Sequence, residues 1–95
     1  MFERVLRQMR EKIRTRQYVM TIHAEEEMSN DGFSIFDVER CILTGKIIDR
    51  HRDAVSAEWK YRVLGETLDG AGVEVVAKLN ITGKLVFITV YSTGL

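Results

Sequence analysis

The hydrophobic period of this chain changes once, at Gly45, and that change limits the folds that are open to it. Before Gly45 the apolar residues recur every three or four positions, and after it they alternate with polar residues. Helices first and strands second predict an α+β fold, with the N-terminal helices packed on one face of a C-terminal antiparallel sheet. The 95 residues contain no proline and no linker, which predicts one domain over residues 1–95.

The part of the chain before Gly45 predicts three helices. An apolar stripe indicates a basic helix within residues 1–17, and its members are Phe2, Val5, Leu6, Met9 and Ile13. Residues 21–45 are expected to hold two short helices. Thr21 is a candidate N-cap for the first, Ser34 with Asp37 has the form of a capping box for the second, and Gly45 is expected to end it as a left-handed cap residue. Residues 17–20 are expected to be an extended connector.

The part after Gly45 predicts four strands, at residues 46–52, 58–64, 73–80 and 84–91. Short connections predict antiparallel neighbours in a sheet over residues 46–91. The alternation assigns side chains to faces. Expected toward the helices are Trp59, Tyr61, Val63, Val73, Val75, Ala77, Leu79, Val86, Ile88 and Val90. Expected on the opposite face are Lys60, Arg62, Lys78, Phe87, Thr89 and Tyr91. This face suits an anionic ligand, or it is an ordinary solvent-facing sheet surface.

Charge and cysteine usage narrow the class of protein. Net charge is zero, yet residues 1–17 hold six basic against two acidic side chains, and residues 18–45 hold one against six. Such blocks permit a local anionic partner. Cys41 is alone, so it is expected to pack as a small apolar residue. No apolar run approaches the ~20 residues of a membrane span, and the charged N-terminus differs from a signal peptide, so a cytoplasmic protein with no membrane partner is expected.

His23 is the candidate for acid–base chemistry. Histidine titrates near pH 6.5, and Glu27, four residues later on the same helical face, is placed to orient the ring. A nuclease that uses the RNA 2′-hydroxyl as nucleophile needs a base, an acid and cations that stabilise the phosphate. Lys60, Arg62 and Tyr91 are candidates for the remaining parts. The alternative is that His23 is only a surface or capping residue.

A metal site is the competing interpretation of His23. Its spacing to Glu26 and Glu27 suits a helical ligand pair, but a catalytic zinc requires three protein ligands and no third is apparent. His51 lies between Arg50 and Arg52, a poor setting for a metal cation. The sequence also lacks a phosphate-binding glycine loop and a dinucleotide fingerprint. Neither a metal nor a cofactor is therefore expected.

Several blocks of the sequence form a joint pattern of order and spacing. The blocks are Thr21 to Met28 (TIHAEEEM), Gly32 to Ser34, Asp37 to Glu39, Thr44 to Ile48, Tyr61 to Gly65, Val73 to Val76 and Phe87 to Tyr91. Taken together, they resemble one bacterial family, domain of unknown function 4258. The likeness covers about residues 18–91. Many members carry basic residues where this chain has Glu27 and Asp31, so it looks like a subgroup with an acidic helix.

The resemblance implies a fold similar to the barnase, colicin and RelE-like ribonuclease toxins. It also implies a partner, since members are often encoded beside a zinc-finger antitoxin of the MqsA type. Carried over by position, the family's histidine is His23 and its sheet arginine is Arg62. The leading hypothesis is a toxin with metal-independent endoribonuclease activity. In it His23 is the acid or base, Arg62 and Lys60 stabilise phosphate, and the other contacts come from Tyr91, Lys78 and Thr89.

A second hypothesis remains open. The chain is then a non-catalytic module that docks a partner encoded nearby, through its basic first helix or its acidic second helix. The expected partners are an antitoxin-like protein and, for the enzyme, RNA. A homo-oligomer is compatible with either hypothesis.

Overall fold

The computed structural model describes residues 1–94, which form three helices and a five-stranded sheet. In chain order the elements are α1 (Glu3–Arg14), β1 (Tyr18–Met20), α2 (Ile22–Asn30), α3 (Ile35–Thr44), β2 (Lys46–Arg52), β3 (Trp59–Glu66), β4 (Gly72–Leu79) and β5 (Leu85–Ser92). The predicted α+β class, with helices first and the sheet at the C-terminal end, is confirmed. Within residues 1–94 no helix has the length and apolar character needed to cross a membrane.

The sheet has the strand order β1-β5-β4-β3-β2. Strands β2 to β5 pair with one another in antiparallel fashion, whereas β1 runs parallel to β5 and pairs Tyr18 with Leu85. The prediction that residues 17–20 form only a connector is therefore wrong. Three residues are too few for an alternating pattern to emerge, and the partner strand lies more than sixty residues away in sequence.

The helix ends follow the predicted capping chemistry at two of three positions. The Thr21 side chain accepts a hydrogen bond from the backbone N–H of Ala24 at 3.0 Å, and Ser34 and Asp37 form the reciprocal capping box. Gly45 is not left-handed, because its φ is −88°. Glycine is needed there for close packing, since a Cβ would lie 2.5 Å from the carbonyl oxygens of Cys41 and Leu64.

The core lies between the helices and one face of the sheet. Its fully buried members are Met9, Ala24, Val38, Cys41, Ile42, Val63, Val73, Val75, Ala77, Leu85, Phe87 and Val90. Burial of Cys41 as an apolar residue matches its prediction.

The face assignment of β5 is correct from Thr89 onward and wrong for Val86 and Phe87, because of a β-bulge. Thr89 pairs with Val76 and Phe87 pairs with Ala77, so the intervening Ile88 has no partner on β4. The extra residue reverses the alternation, which puts Phe87 in the core and places Val86 opposite Lys78 on the other face. The hydrophobic pattern of the sequence does not reveal the position of this bulge.

Candidate functional site

Five of the candidate site residues share the sheet face that is turned away from the core, here called the outer face. Register places them in adjacent rows, with Arg62 opposite Val76 and Val76 opposite Thr89. The residues on this face are Lys60, Arg62, Lys78, Thr89 and Tyr91. His23 lies elsewhere, on α2 at the edge of β5.

Arg62 is at the centre of the outer face and is held by a buried carboxylate. Its Nε and Nη2 atoms donate to the two oxygens of Glu74 at 2.9 and 3.1 Å, a bidentate pair. Glu74 is 5% exposed, so the carboxylate requires a cationic partner at that depth. The hydrogen bonds from Arg62 to Glu74 and the charge of that carboxylate raise the pKa of Arg62 above its usual value. The guanidinium therefore has one fixed orientation.

The lysines of the outer face are also paired. Lys60 lies 3.0 Å from an Asp53 carboxylate oxygen, and Lys78 donates to Glu58 at 2.9 Å. The backbone N–H of Ser56, together with the Lys60 ammonium, holds the pKa of Asp53 well below its usual range, and Lys78 lowers the pKa of Glu58. Every predicted cation of this face therefore has an acidic partner, so the face carries no excess of positive charge.

A second histidine, His51, lies on this face, and it was not predicted there from the sequence. His51 Nε2 lies 3.1 Å from Asp49 Oδ2, and the same oxygen is 3.6 Å from Arg62 Nη1. Register explains the cluster, since Asp49 is directly opposite Arg62 and His51 directly opposite Lys60. The one available signal in the sequence is that Asp49 and His51 are two residues apart on one predicted strand, a spacing that puts both side chains on the same face. Which face they share depends on a register shift between Ile47 and Asp49, which the sequence does not reveal.

His23 lies near the β5 edge of the sheet and contacts the Glu27 carboxylate. Its Nε2 lies 3.1 Å from Glu27 Oε1, and this oxygen also accepts the backbone N–H of Val90 at 3.1 Å. Two strand spacings, about 10 Å, separate β5 from Arg62 on β3, and His23 lies beyond the β5 edge. The structure therefore does not bring His23 and Arg62 to one phosphate.

Two acidic side chains, one on α2 and one directly after it, accept hydrogen bonds from backbone N–H groups at the β5 edge. Strand β1 covers this edge as far as Phe87, and α2 covers the rest, where Glu27 binds the Val90 N–H and Asp31 binds the Ser92 N–H at 3.0 Å. Glu27 and Asp31 are four residues apart, a helical rise of ~6 Å, and Val90 and Ser92 are two residues apart, a strand rise of about 6.6 Å. The two carboxylates are therefore spaced like the two N–H groups that they bind. The carboxylates thus protect a strand edge that is otherwise open to pairing.

Among residues 1–94 no three His, Cys, Asp or Glu side chains are grouped so as to hold a metal ion. Both histidines instead have one carboxylate neighbour each, Glu27 for His23 and Asp49 for His51. Such pairs are suited to orienting a ring for proton transfer.

Comparison with known proteins yields one match. The family model described as "Domain of unknown function (DUF4258)" matches residues 20–92, which include every strand from β2 to β5 and the whole of α2 and α3. No curated protein and no solved structure matches the chain.

Proposed function

The chain belongs to the DUF4258 family, and from that premise we propose that it is the toxin of a toxin–antitoxin pair and cleaves RNA without a metal ion. The outer face is its catalytic surface. The observation that carries this proposal is the fixed orientation of Arg62, which a buried carboxylate holds in the middle of a face that also carries Lys60 and Tyr91. Preorganised charge of this kind stabilises the transition state of phosphate chemistry.

Arg62 retains donors for a substrate. Guanidinium has five N–H groups, and the Glu74 pair uses two of its nitrogens. The third nitrogen is 3.6 Å from Asp49, which is longer than a hydrogen bond, and 36% of the side chain is exposed. An RNA phosphate is expected to bind at this nitrogen, with Lys60 as a second charge.

The hydroxyl groups of β5 complete the surface. Tyr91 is directly opposite Glu74, and Thr89 is directly opposite Val76. These two hydroxyl groups are expected to contact ribose or base atoms of the same RNA strand. Lys78, on the intervening strand β4, is expected to make a further contact with the RNA. The acid–base role of His23 stays a prediction, as does its link to this surface.

The enzyme is tested with purified protein and a defined RNA in the presence of EDTA. Wild type is expected to cleave the RNA, and Arg62→Lys is expected to lose most of the activity because an ammonium keeps the charge and lacks the planar fork. In a bacterial host, induction of wild type, Arg62→Lys and His23→Ala is followed by growth and RNA integrity. Intact RNA and equal growth in all cultures would remove the proposal.

A second function, a non-catalytic module that docks a partner protein, is favoured by a different observation. The outer-face cations all have acidic partners, whereas Arg4 and Arg7 on α1 and Arg16 after it have no carboxylate within 4.0 Å among residues 1–94. A pull-down with the product of the neighbouring gene and an RNA titration in rising salt separate the two, because phosphate contacts weaken steeply with salt. A salt-resistant protein complex without RNA affinity supports the module.

A further inference from the structure

We propose that His51, oriented by Asp49, is the general base that activates the RNA 2′-hydroxyl, and that the RNA strand crosses the sheet at the β2 edge. This inference rests on the proposed ribonuclease function and assigns its proton transfer to a residue other than His23.

The orientation of His51 suits a base. Its Nε2 faces Asp49 Oδ2 at 3.1 Å, so in the neutral ring this nitrogen carries the proton and Nδ1 presents a lone pair. The side chain is 66% exposed, and β2 is an edge strand of the sheet. A substrate can therefore reach Nδ1 from solvent. Asp49 is a positioning residue, because it fixes the ring and does not itself meet the substrate.

The phosphate-binding groups are next to His51 on the neighbouring strand. Lys60 is directly opposite His51, and Arg62 shares Asp49 Oδ2 with it. Asp53 faces the same group through its ion pair with Lys60. One carboxylate oxygen thus joins the base to the arginine that is expected to hold the phosphate.

Strand β2 also carries cations that have no acidic partner. Arg50 stacks over the Trp59 ring at 4.0 Å and Arg52 at 5.4 Å, and within residues 1–94 neither guanidinium group has a carboxylate within 4.0 Å. Arg50 also lies 5.7 Å from the Phe2 ring centroid, beside the start of α1. Both charges lie on the helix side of β2, because they are opposite Tyr61 and Trp59, and from that side they attract a polyanion to this edge of the sheet.

The surroundings of His23 favour a cationic ligand and not an anionic phosphate. The two histidines are equally exposed and equally distant from a carboxylate. His23, however, lies on a helix without a basic residue, whose acidic side chains are Glu25, Glu26 and Glu27 with Asp31 at its end. Phosphates are repelled from such a surface, and Glu27 is already bound to the β5 backbone.

The reaction at His51 is a transesterification that needs no co-reactant. Nδ1 takes the proton of the 2′-hydroxyl, the 2′-oxygen forms a bond to the adjacent phosphorus, and the bond from phosphorus to the 5′-oxygen breaks. The leaving 5′-oxygen takes a proton from water, and the hydroxide that remains takes the proton from the His51 imidazolium, which restores the neutral ring. The products are a 2′,3′-cyclic phosphate and a 5′-hydroxyl, and the charge that develops on the phosphorane lies beside Arg62 and Lys60.

The test measures single-turnover cleavage of an RNA oligonucleotide in EDTA by wild type, His51→Asn, His23→Asn and Asp49→Asn. His51→Asn is expected to lose about 10²–10⁴-fold in rate with little change in substrate affinity, as for removal of a general base. Asp49→Asn is expected to lose less, because the ring remains but is not oriented. Lys84→Gln, an exposed side chain in the β4–β5 connection, is the matched surface control.

A binding measurement keeps the inference testable if a variant fails to fold. The chain has two histidines, so their ring proton resonances are readily assigned in wild type. A 2′-deoxy analogue of the oligonucleotide, which cannot be cleaved, is expected to shift the His51 resonance and leave that of His23 in place. A shift of His23 alone overturns the assignment.

The outcomes separate this inference from the proposed function. Cleavage that survives in His51→Asn and is lost in His23→Asn overturns the assignment of His51 and leaves a ribonuclease. Wild type that neither cleaves RNA nor responds to the analogue overturns both.

Discussion

Replacing Glu27 with alanine is expected to destabilise the protein through the edge of the sheet. The change removes the acceptor of the Val90 N–H, a bond that is partly buried beside a fully buried side chain. Hydrogen bonds to charged groups contribute about 1.5–3 kcal/mol, and a donor left without an acceptor costs a similar amount. Because water has partial access, we expect a loss of about 2 kcal/mol. Asp31→Ala is expected to cost only about 0.5 kcal/mol, since Ser92 is exposed and water replaces the carboxylate.

The assay is urea unfolding followed by circular dichroism, supported by thermal melts. A chain of this length has a total stability of roughly 5–14 kcal/mol, so a loss of ~2 kcal/mol lowers the melting temperature by about 8–16 °C. Glu26→Ala is the matched control, because Glu26 is exposed on the same helix and undergoes the same change in helix propensity. Glu27→Gln keeps a neutral acceptor and is expected to recover about half of the loss.

If Glu27→Ala unfolds at the same urea concentration as Glu26→Ala, the hydrogen bond from Val90 to Glu27 does not stabilise the sheet edge. A second readout addresses the edge directly, since amide exchange at Val90 is expected to accelerate in Glu27→Ala. An uncovered edge also favours concentration-dependent association, which sedimentation detects.

Other contacts give equally direct predictions. Gly65→Ala places a Cβ 2.5 Å from the carbonyl oxygen of Cys41, and overpacking of this kind costs about 1–3 kcal/mol, so an unchanged melting temperature would contradict the close approach of α3 and β3. Burial raises the pKa of Tyr18 and of Cys41 to about 12, with Glu39 adding to the effect on Tyr18. The folded state thus favours the neutral forms, and the stability this gives is complete below pH 9, declines as pH rises and is lost above about pH 12. Tyr18→Phe is expected to show a smaller fall in stability between pH 8 and pH 11, and an equal fall would contradict this. Cys41 is expected to resist thiol reagents until the protein unfolds, and rapid labelling of the native state would be inconsistent with its burial.

Local chemistry made much of the fold predictable. Thr21, Ser34 and Asp37 specify helix starts by hydrogen bonds within three residues, and the alternating period specifies β2 to β5 to within two residues at each end. These signals depend only on residues that are close in sequence, so they can be recognised without knowledge of the tertiary structure.

The unpredicted features depend on contacts between distant segments. Strand β1 becomes a strand only because β5 pairs with it, and the bulge at Ile88 is a property of two paired strands. The ion pairs of the outer face likewise arise from register, which brings Glu74 to Arg62 and Asp49 to the same arginine. The cations of that face can be identified from the sequence, but their acidic partners are known only once the strand register is known.

The assignment of the site was limited by the same cause. The resemblance directs attention to His23, which lies on a helix that the sequence predicts well. His51 has no motif of its own, and the neighbouring arginines made it look unsuited to a metal. The features that distinguish it are Asp49 and Lys60 beside it on one face, and these come from pairing of β2 with β3.

The proposed cleavage of RNA at the outer face and the β2 edge, with His51 as base, is tested by the ends of its products. Wild type, Arg62→Lys and His51→Asn are each incubated with a labelled RNA in EDTA, and the product ends are analysed. Wild type is predicted to yield 2′,3′-cyclic phosphate and 5′-hydroxyl ends, and both variants are predicted to leave the RNA largely intact. Uncleaved RNA with wild type, or equal cleavage by His51→Asn, would show that this surface does not act in this way.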